Sequence, residues 1–158
     1  MNYFLDDLSI CPTGINIPDI FECRKWLVSD VAEVLVISKM GDVFFTGKEG
    51  CVYWLATDTC TLTKISGSRA GFDILLNNVD NIDNWFLPQL LSELEQAGIL
   101  LNNNQVYSYK KMPVLGGKYT VDNIEPTDIK VHFDLAGIIG EQIKYLPDST
   151  KIKINVVD

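Results

Sequence analysis

The chain has 158 residues, which is the usual length of one compact domain, and 47% of them are hydrophobic and 22% charged. Its 13 basic and 21 acidic residues give a net charge of −8. This excess of acid argues against a nucleic-acid-binding module, which needs Lys and Arg for phosphate contacts, and against docking on an anionic membrane. The charge suits a basic protein partner, because opposite fields speed encounter, although solubility alone is the simpler explanation.

The N-terminal residues and the cysteines bear on the compartment. No run approaches the ~20 consecutive apolar residues of a membrane span, and Asp6 and Asp7 stand where a signal peptide would be basic and then apolar. The cysteines form no C-x-x-C pair and have one histidine to join them, so a structural zinc site is not expected. We therefore expect a cytoplasmic protein with no metal and no other cofactor. Its free thiols would be Cys11, Cys23, Cys51 and Cys60.

The sequence reads as a single domain, 1–158, in three parts: an N-terminal segment (1–32), a β-meander (33–66) and a C-terminal region (67–158). The first part is rich in turn residues, with a short helix predicted over 19–29. The second part holds the runs EVLVISK, DVFFTG, CVYWLAT and TLTKIS, which are rich in β-branched and aromatic residues. Short polar or Gly-containing breaks separate them, which predicts a four-stranded antiparallel meander with at least one face covered.

Helices that could cover the meander follow it. A short helix is predicted over 70–77 and an amphipathic helix over 84–97, with Pro88 near its first turn and Gly98 as its stop signal. QVYSYKK is predicted to be extended, and 113–127 to be rich in turns.

The C-terminal part is predicted to be a strand–helix–strand unit. IKVHF (129–133) looks like a strand, Asp134 is the expected N-cap of a helix that runs to about Tyr145, and KIKINVV alternates like a half-buried strand. Gly137 and Gly140 inside that helix suggest close packing. The predicted fold class is α+β, an antiparallel β-meander packed against amphipathic helices.

Catalytic motifs are scarce. His132 is the one histidine, and it lies between Val131 and Phe133 in the predicted strand, where a structural role is the simplest interpretation. A general base needs a partner within hydrogen-bond reach, and the sequence names none. There is no G-x-S-x-G elbow and no phosphate-binding loop of the required spacing. We therefore predict no catalytic residues, and a small enzyme built on carboxylates around His132 is the weakest alternative.

The distribution of charge is more informative. No Lys or Arg occurs between Arg69 and Lys110, a stretch that is acidic and contains aromatic residues. An acidic surface with aromatic anchors is what a basic protein would bind. The simpler interpretation is a solvated helix face, with Trp85 in the core. The turns of 113–127 are a second, weaker candidate surface. The predicted partner-binding residues are Asp73, Asp80, Asp83, Trp85, Glu93 and Glu95.

An ordered set of short motifs resembles a known family. They include Trp85-Phe86, Glu93-Leu94-Glu95, YSYKKMPVLGGKY (107–119), NIEP (123–126) and Val131-His132-Phe133. EQIK and Leu146-Pro147-Asp148 close the series, and GDVFF, VYWL and TLTKI lie upstream. The chain resembles, over about residues 33–155, the C-terminal domain of type VI secretion immunity proteins that neutralise DNase effectors. It departs from that family in having Ser149 where many members have Gly, and in a shortened N-terminal region related to the GAD domain.

The resemblance implies a non-enzymatic cytoplasmic inhibitor that binds a cognate nuclease toxin, expected to be basic, and protects the producing cell and its kin. Inhibition would come either from acidic residues that occupy the substrate cleft or from a wedge that distorts the toxin. The alternative from a different class is a general cytosolic interaction module without a toxin partner.

Overall fold

The computed structural model describes residues 4–146, so the predicted strand KIKINVV and Pro147 lie outside the described residues. The strands are β1 Ser9–Ile10, β2 Glu33–Ser38, β3 Val43–Thr46, β4 Val52–Ala56, β5 Thr61–Ser66, β6 Gln105–Tyr109 and β7 Ile124–Asp128. The α-helices are α1 Leu5–Leu8, α2 Ile17–Phe21, α3 Arg69–Leu75, α4 Val79–Phe86, α5 Pro88–Gln96 and α6 Ile129–Ile143. Short 3-10 helices occupy Glu22–Arg24, Pro113–Leu115 and Val121–Asn123.

The predicted meander is confirmed. Strands β2 to β5 pair in sequence order, all antiparallel, and β1 adds a short fifth strand through pairing of Ser9 with Ser38. In the centre of the sheet Phe44 lies opposite Trp54 and Phe45 opposite Tyr53. Strands β6 and β7 form a separate two-stranded antiparallel ribbon. The α+β class is therefore confirmed.

Both faces of the sheet are covered. Val43, Phe44 and Phe45 are consecutive on β3, and each is at most 1% exposed. Since neighbouring side chains of a strand point to opposite faces, a fully buried run needs cover on both sides. Helices α3, α4 and α5 pack on the side of Phe44, and α2 and α6 pack on the side of Phe45. Each buried aromatic side chain contributes roughly 2–3 kcal/mol of transfer free energy.

The prediction of one helix over 84–97 is wrong at its start. Residues 84–86 end α4, and α5 begins at Pro88. Leu87 between them has φ +52°, outside the right-handed helical region, which the residue before a proline disfavours. Pro88 occupies the first helical position, where its missing N–H costs little, and Gly98 with φ +77° follows the end of α5 as predicted. The helix predicted over 70–77 is confirmed as α3.

The strand predicted over 129–133 is also wrong. These residues begin the 15-residue helix α6, and Asp128 caps it instead of Asp134, accepting hydrogen bonds from the backbone N–H of Lys130 (2.9 Å) and Val131 (3.2 Å). The strand lies one segment earlier, as β7. IKVHF matches a two-residue alternation, but its apolar positions also belong to a longer helical stripe that continues to residue 140.

Two glycines bring α6 against the N-terminal segment, as their sequence positions suggested. A Cβ at Gly137 would lie 2.5 Å from the carbonyl oxygen of Cys23, and one at Gly140 would lie 2.9 Å from the Trp26 ring. The helix predicted over 19–29 is instead the shorter α2 followed by a 3-10 turn. The close approach of α6 therefore depends on residues without side chains.

A third glycine connects α6 to the sheet. Gly41 lies in the turn between β2 and β3 with φ +80°, and its carbonyl oxygen accepts a hydrogen bond from Nε2 of His132 at 2.9 Å. A Cβ at Gly41 would overlap the imidazole ring. The turn therefore needs glycine for two reasons, the left-handed backbone and the adjacent ring.

We predict that Gly41→Ala lowers the free energy of unfolding by about 3 kcal/mol, because it adds backbone strain and displaces a buried, hydrogen-bonded ring. Gly50→Ala is the matched control, since Gly50 also has a left-handed φ, +89°, but would meet no atom within 4 Å. Its expected loss is about 1 kcal/mol. Urea unfolding of both variants measures the difference, and equal losses would contradict the role given to the His132 contact.

Candidate functional site

The five acidic residues predicted to bind a partner lie on three consecutive helices, and all five are exposed. Asp73 is on α3, Asp80 and Asp83 are on α4, and Glu93 and Glu95 are on α5. Asp80 and Asp83 are three residues apart, so their side chains lie on the same side of α4. Beyond the first residue of α3 none of the three helices contains Lys or Arg, which leaves this surface negative.

Trp85 does not share that surface. It is only 6% exposed and packs in the core, with its ring centroid 5.4 Å from Phe44 and 6.3 Å from Trp54. This burial agrees with the simpler interpretation of the sequence, in which Trp85 lies in the core, and a role of Trp85 in partner binding stays a prediction. Trp85 also lines a cavity, together with Asn84.

Local hydrogen bonds fix the two short helices that carry the aspartates. The Ser68 hydroxyl accepts from the backbone N–H of Gly71 (3.0 Å) and so caps α3. The side-chain oxygen of Asn78 accepts from the N–H groups of Asp80 (2.9 Å) and Asn81 (3.3 Å) and so caps α4. Helices of seven or eight residues are marginal alone, so these caps and the core contacts hold them in place.

Two exposed apolar side chains accompany the aspartates, and the sequence reasoning missed both. Ile74 is 71% exposed at the end of α3, and Val79 is 54% exposed at the start of α4. The available signal was helical spacing, because Phe72 and Leu75 face inward on α3 and Ile74 falls between them. We use "α3–α4 face" for the surface formed by Asp73, Ile74, Val79, Asp80 and Asp83.

The glutamates of α5 have different surroundings. Glu95 lies 3.9 Å from Nζ of Lys39, and Glu93 accepts a hydrogen bond from Gln89 at 3.2 Å. Glu95 and Lys39 also line a cavity other than the one beside Trp85. Within residues 4–146 the carboxylates of the α3–α4 face make no ion pair. The structure therefore leaves the aspartates unneutralised and separates them from Glu95.

A cleft of about 250 Å³ adjoins the end of α4. Four aromatic rings and two carboxylates in its wall define what we call the aromatic–carboxylate cleft. They come from four separate segments: the β2–β3 turn, the hairpin of β4 and β5, α4, and the ribbon with the loop that follows it. These residues are Asp42, Trp54, Asp58, Trp85, Tyr109 and Tyr119.

Asp42 is the buried carboxylate of the cleft. Its oxygens accept hydrogen bonds from Nε1 of Trp54 (3.1 Å), from the backbone N–H of Thr57 (2.9 Å) and from the Thr57 hydroxyl (3.1 Å). Burial, followed by the negative charge of Asp58, raises the pKa of Asp42 to about 7 in spite of these three donors.

Asp58 is the half-buried carboxylate of the cleft. One carboxylate oxygen accepts a 2.6 Å hydrogen bond from the Tyr119 hydroxyl, and the other accepts from the N–H of Thr59 at 2.9 Å. The Tyr119 ring meets Tyr109 edge to face, with centroids 5.3 Å apart. Burial raises the pKa of both tyrosines, so both hydroxyls are protonated at neutral pH. The Tyr109 hydroxyl is buried and has no hydrogen-bond partner among the described residues.

His132 is also buried, on α6, and both of its ring nitrogens are engaged inside the protein. Nε2 donates to the Gly41 carbonyl and lies 3.1 Å from the Thr57 hydroxyl, and Nδ1 accepts from the Ser108 hydroxyl at 2.5 Å. Burial lowers the pKa of His132 to about 4, so the ring is neutral at pH 7. The hydroxyl–imidazole–carbonyl series resembles a nucleophile and its base. Its hydrogen bonds join β6, α6 and the β2–β3 turn, which accounts for them structurally.

A comparison with known protein families matches about half of the chain. Residues 66–140 match the family model described as the C-terminal part of the T6SS immunity protein Tdi1. The match supports a relationship between this chain and a family of type VI secretion immunity proteins. The resemblance found in the sequence is confirmed at that level, although the matched region begins at the end of β5 and leaves out the meander.

A comparison with solved structures shows a similarity of fold alone. The crystal structure of Atu4351 from Agrobacterium tumefaciens is similar with a TM-score of 0.55 and 18% sequence identity. The similarity covers 78% of this chain and 64% of that one, so the chain spans less than two thirds of the solved protein. No curated protein matches the sequence.

The immunity-family match includes all six predicted binding residues, and it includes His132. It supplies Trp85, Tyr109 and Tyr119 to the cleft, while Asp42, Trp54 and Asp58 precede it. Among residues 4–146, no helix is long and apolar enough to cross a membrane, and no group of His, Cys, Asp and Glu side chains is arranged to hold a metal ion.

We predict that His132→Gln changes how stability depends on pH. The native ring stays neutral down to about pH 4, whereas the unfolded ring takes up a proton below about pH 6.5. The unfolded state then binds more protons, so His132 makes the wild type less stable as pH falls through this window. The total effect is about 3 kcal/mol.

The measurement is urea unfolding of wild type and His132→Gln from pH 4 to pH 8. The difference, wild type minus variant, should rise between pH 4 and 6.5 and then level off. Asp42 shifts in the opposite direction, but it is present in both proteins and cancels in the difference. A pH-independent difference would contradict the neutral, buried state assigned to His132.

Proposed function

We propose that this protein is a cytoplasmic immunity protein that binds a cognate secreted DNase toxin and inhibits it, which protects the producing cell and its kin. The observation that carries the proposal is the match of residues 66–140 to the C-terminal part of a type VI secretion immunity protein. An immunity protein acts by binding, so no reaction is required of its own residues. The compartment follows from the target, since a DNase attacks DNA in the cytoplasm.

The α3–α4 face is the toxin-binding surface in this proposal. It lies inside the matched region, and its three aspartates have no internal counter-ion among the described residues. A nuclease needs a positive groove to hold DNA phosphates, so an acidic surface complements it. Ile74 and Val79 supply exposed apolar area between the charges, which is the composition expected of an interface.

The charge favours inhibition by occupation of the DNA-binding groove over inhibition by distortion of the toxin. Carboxylates held on capped helices can stand where phosphates would bind, without a change in the backbone of the inhibitor. A specific interface of this kind buries about 1,600 Å² in total, or about 800 Å² on each partner. Residues of α5, including Glu93, would then lie at its edge.

Co-expression tests the function directly. The candidate nuclease from the neighbouring gene is induced with and without this protein, and survival and the integrity of genomic DNA are measured. Rescue with intact DNA, together with a one-to-one complex on co-purification, supports immunity by direct binding. Failure to rescue from an active toxin, with the protein well expressed, contradicts the proposal and favours a general interaction module.

We predict that Asp80→Lys/Asp83→Lys weakens toxin binding by about 10- to 100-fold, mainly through slower association, because the change replaces attraction by repulsion across the interface. Binding kinetics at two salt concentrations measure this, and the loss should shrink at high salt. The fold is checked by thermal unfolding.

Glu22→Lys/Glu141→Lys is the matched control for this charge reversal. It changes the net charge equally, but on the elements that cover the opposite side of the sheet, where each glutamate forms only an exposed ion pair. Toxin affinity should stay within about threefold of wild type, less than the effect of one well-made contact. Equal losses in the two double variants would show that net charge alone, and not the α3–α4 face, governs binding.

Ile74→Ala separates binding from stability. Because Ile74 is 71% exposed, the change should alter the free energy of unfolding by less than about 0.5 kcal/mol. Toxin affinity should fall about fivefold or more, since an apolar residue in an interface is buried on binding. Isothermal titration and urea unfolding give the two values, and an unchanged affinity would remove Ile74 from the interface.

A further inference from the structure

The residues that line the aromatic–carboxylate cleft favour the binding of a cation. Its walls present aromatic rings and carboxylates, and no Lys or Arg of the described residues lines it. Rings attract cations over their faces, and carboxylates attract them directly, so the combination selects a positively charged group. We propose that this cleft receives an arginine side chain of the partner protein.

Size and shape suit a guanidinium group. The cleft of about 250 Å³ is several times the ~30 Å³ that one water molecule takes up in the liquid, so it admits a long side chain. The Trp54 and Trp85 rings stand 6.3 Å apart at 52° to each other and form one corner. A planar guanidinium stacks on such rings, whereas the compact, strongly hydrated ammonium of Lys gains less from them.

The polar side chains of the cleft can accept further hydrogen bonds. A carboxylate has about four acceptor positions, and Asp58 uses two of them, for Tyr119 and for the N–H of Thr59. The Tyr109 hydroxyl is buried without a partner among the described residues, which costs free energy in the unliganded protein. A guanidinium has five N–H donors and no acceptor, so it can donate hydrogen bonds to the Asp58 carboxylate and to the Tyr109 hydroxyl at once.

The position of the cleft indicates that the cation belongs to a protein. Helix α4 contributes Asn84 and Trp85 to the cleft wall and carries Asp80 and Asp83 on its exposed surface. Tyr119, 46% exposed, comes from the 113–127 stretch, so the two surfaces suggested by the sequence meet here. A basic protein lying on the α3–α4 face would have the cleft at the edge of its contact. This inference rests on the proposed function, because the arginine is taken to come from the toxin.

The first experiment uses the full chain and a small probe, Nα-acetyl-arginine amide, with the citrulline analogue as its uncharged control. Tryptophan indole N–H signals are followed by NMR. Trp54 and Trp85 should shift saturably, with a Kd of about 1 mM, while Trp26, whose N–H bonds to Cys23 and Gly137 carbonyls on the other side of the sheet, stays unchanged. Equal shifts with citrulline, or equal shifts at Trp26, would overturn the proposal.

Two variants locate the probe. Asp58→Asn removes the charge of the half-buried carboxylate and should weaken probe binding about tenfold. Glu125→Gln is the control, because it removes one negative charge from an exposed residue of β7 that does not line the cleft, so probe binding should be retained. Unchanged binding to a folded Asp58→Asn protein would overturn the proposal. If Asp58→Asn fails to fold, Asn84→Lys places a cation at the same wall and should abolish binding.

The second experiment measures the toxin itself. Asp58→Asn should lower toxin affinity about 10-fold or more, as expected when a buried charged contact loses its partner. If wild type binds the toxin and Asp58→Asn binds equally well, the arginine assignment is wrong and the proposed function stands. If wild type does not bind the toxin, the proposed function fails, and the assignment of a toxin arginine fails with it whatever the probe shows.

Discussion

The contact on which the structure most depends is the packing of Phe44 among four aromatic rings. Its ring centroid lies 5.3 Å from Phe86, 5.4 Å from Phe72 and Trp85, and 6.2 Å from Trp54. These partners belong to the sheet, to α3 and to α4, so one side chain of β3 sets where both helices lie. Because Trp85 and Phe86 are drawn inward, Asp80 and Asp83 on the same helix point outward.

His132 has the corresponding role on the other side of the sheet. Its two hydrogen bonds fix α6 to Gly41 in the β2–β3 turn and to Ser108 on β6. Asp42 follows Gly41 directly and bonds to Thr57, which also touches the ring. The inner part of the cleft is thus held by the core behind it, and a neutral imidazole can do this because it both donates and accepts.

The secondary-structure elements that could be predicted from the sequence are those whose residue pattern has one interpretation. The strands of 33–66 are bounded by turn residues, and α3 has a clear capping residue, so both were predictable. The segment 129–133 was not, because five residues with apolar positions at every second place fit a strand as well as the start of a helix, and only the cap at Asp128 decides. The acidic residues could be found from charge alone. The cleft could not, since its residues come from four separated segments that only the tertiary structure joins.

The α3–α4 face and the aromatic–carboxylate cleft share α4, but the two surfaces would contribute to binding in different ways. Exposed aspartates act at a distance and in high dielectric, so they govern the rate of encounter and lose strength with salt. A guanidinium inside the cleft would be desolvated and stacked, so its loss would appear mainly as faster dissociation. A toxin that keeps its basic groove but lacks the arginine would therefore meet the inhibitor rapidly and leave it quickly. Under both proposals together, the α3–α4 face would recognise nucleases as a class, and the cleft would distinguish the cognate toxin from the others.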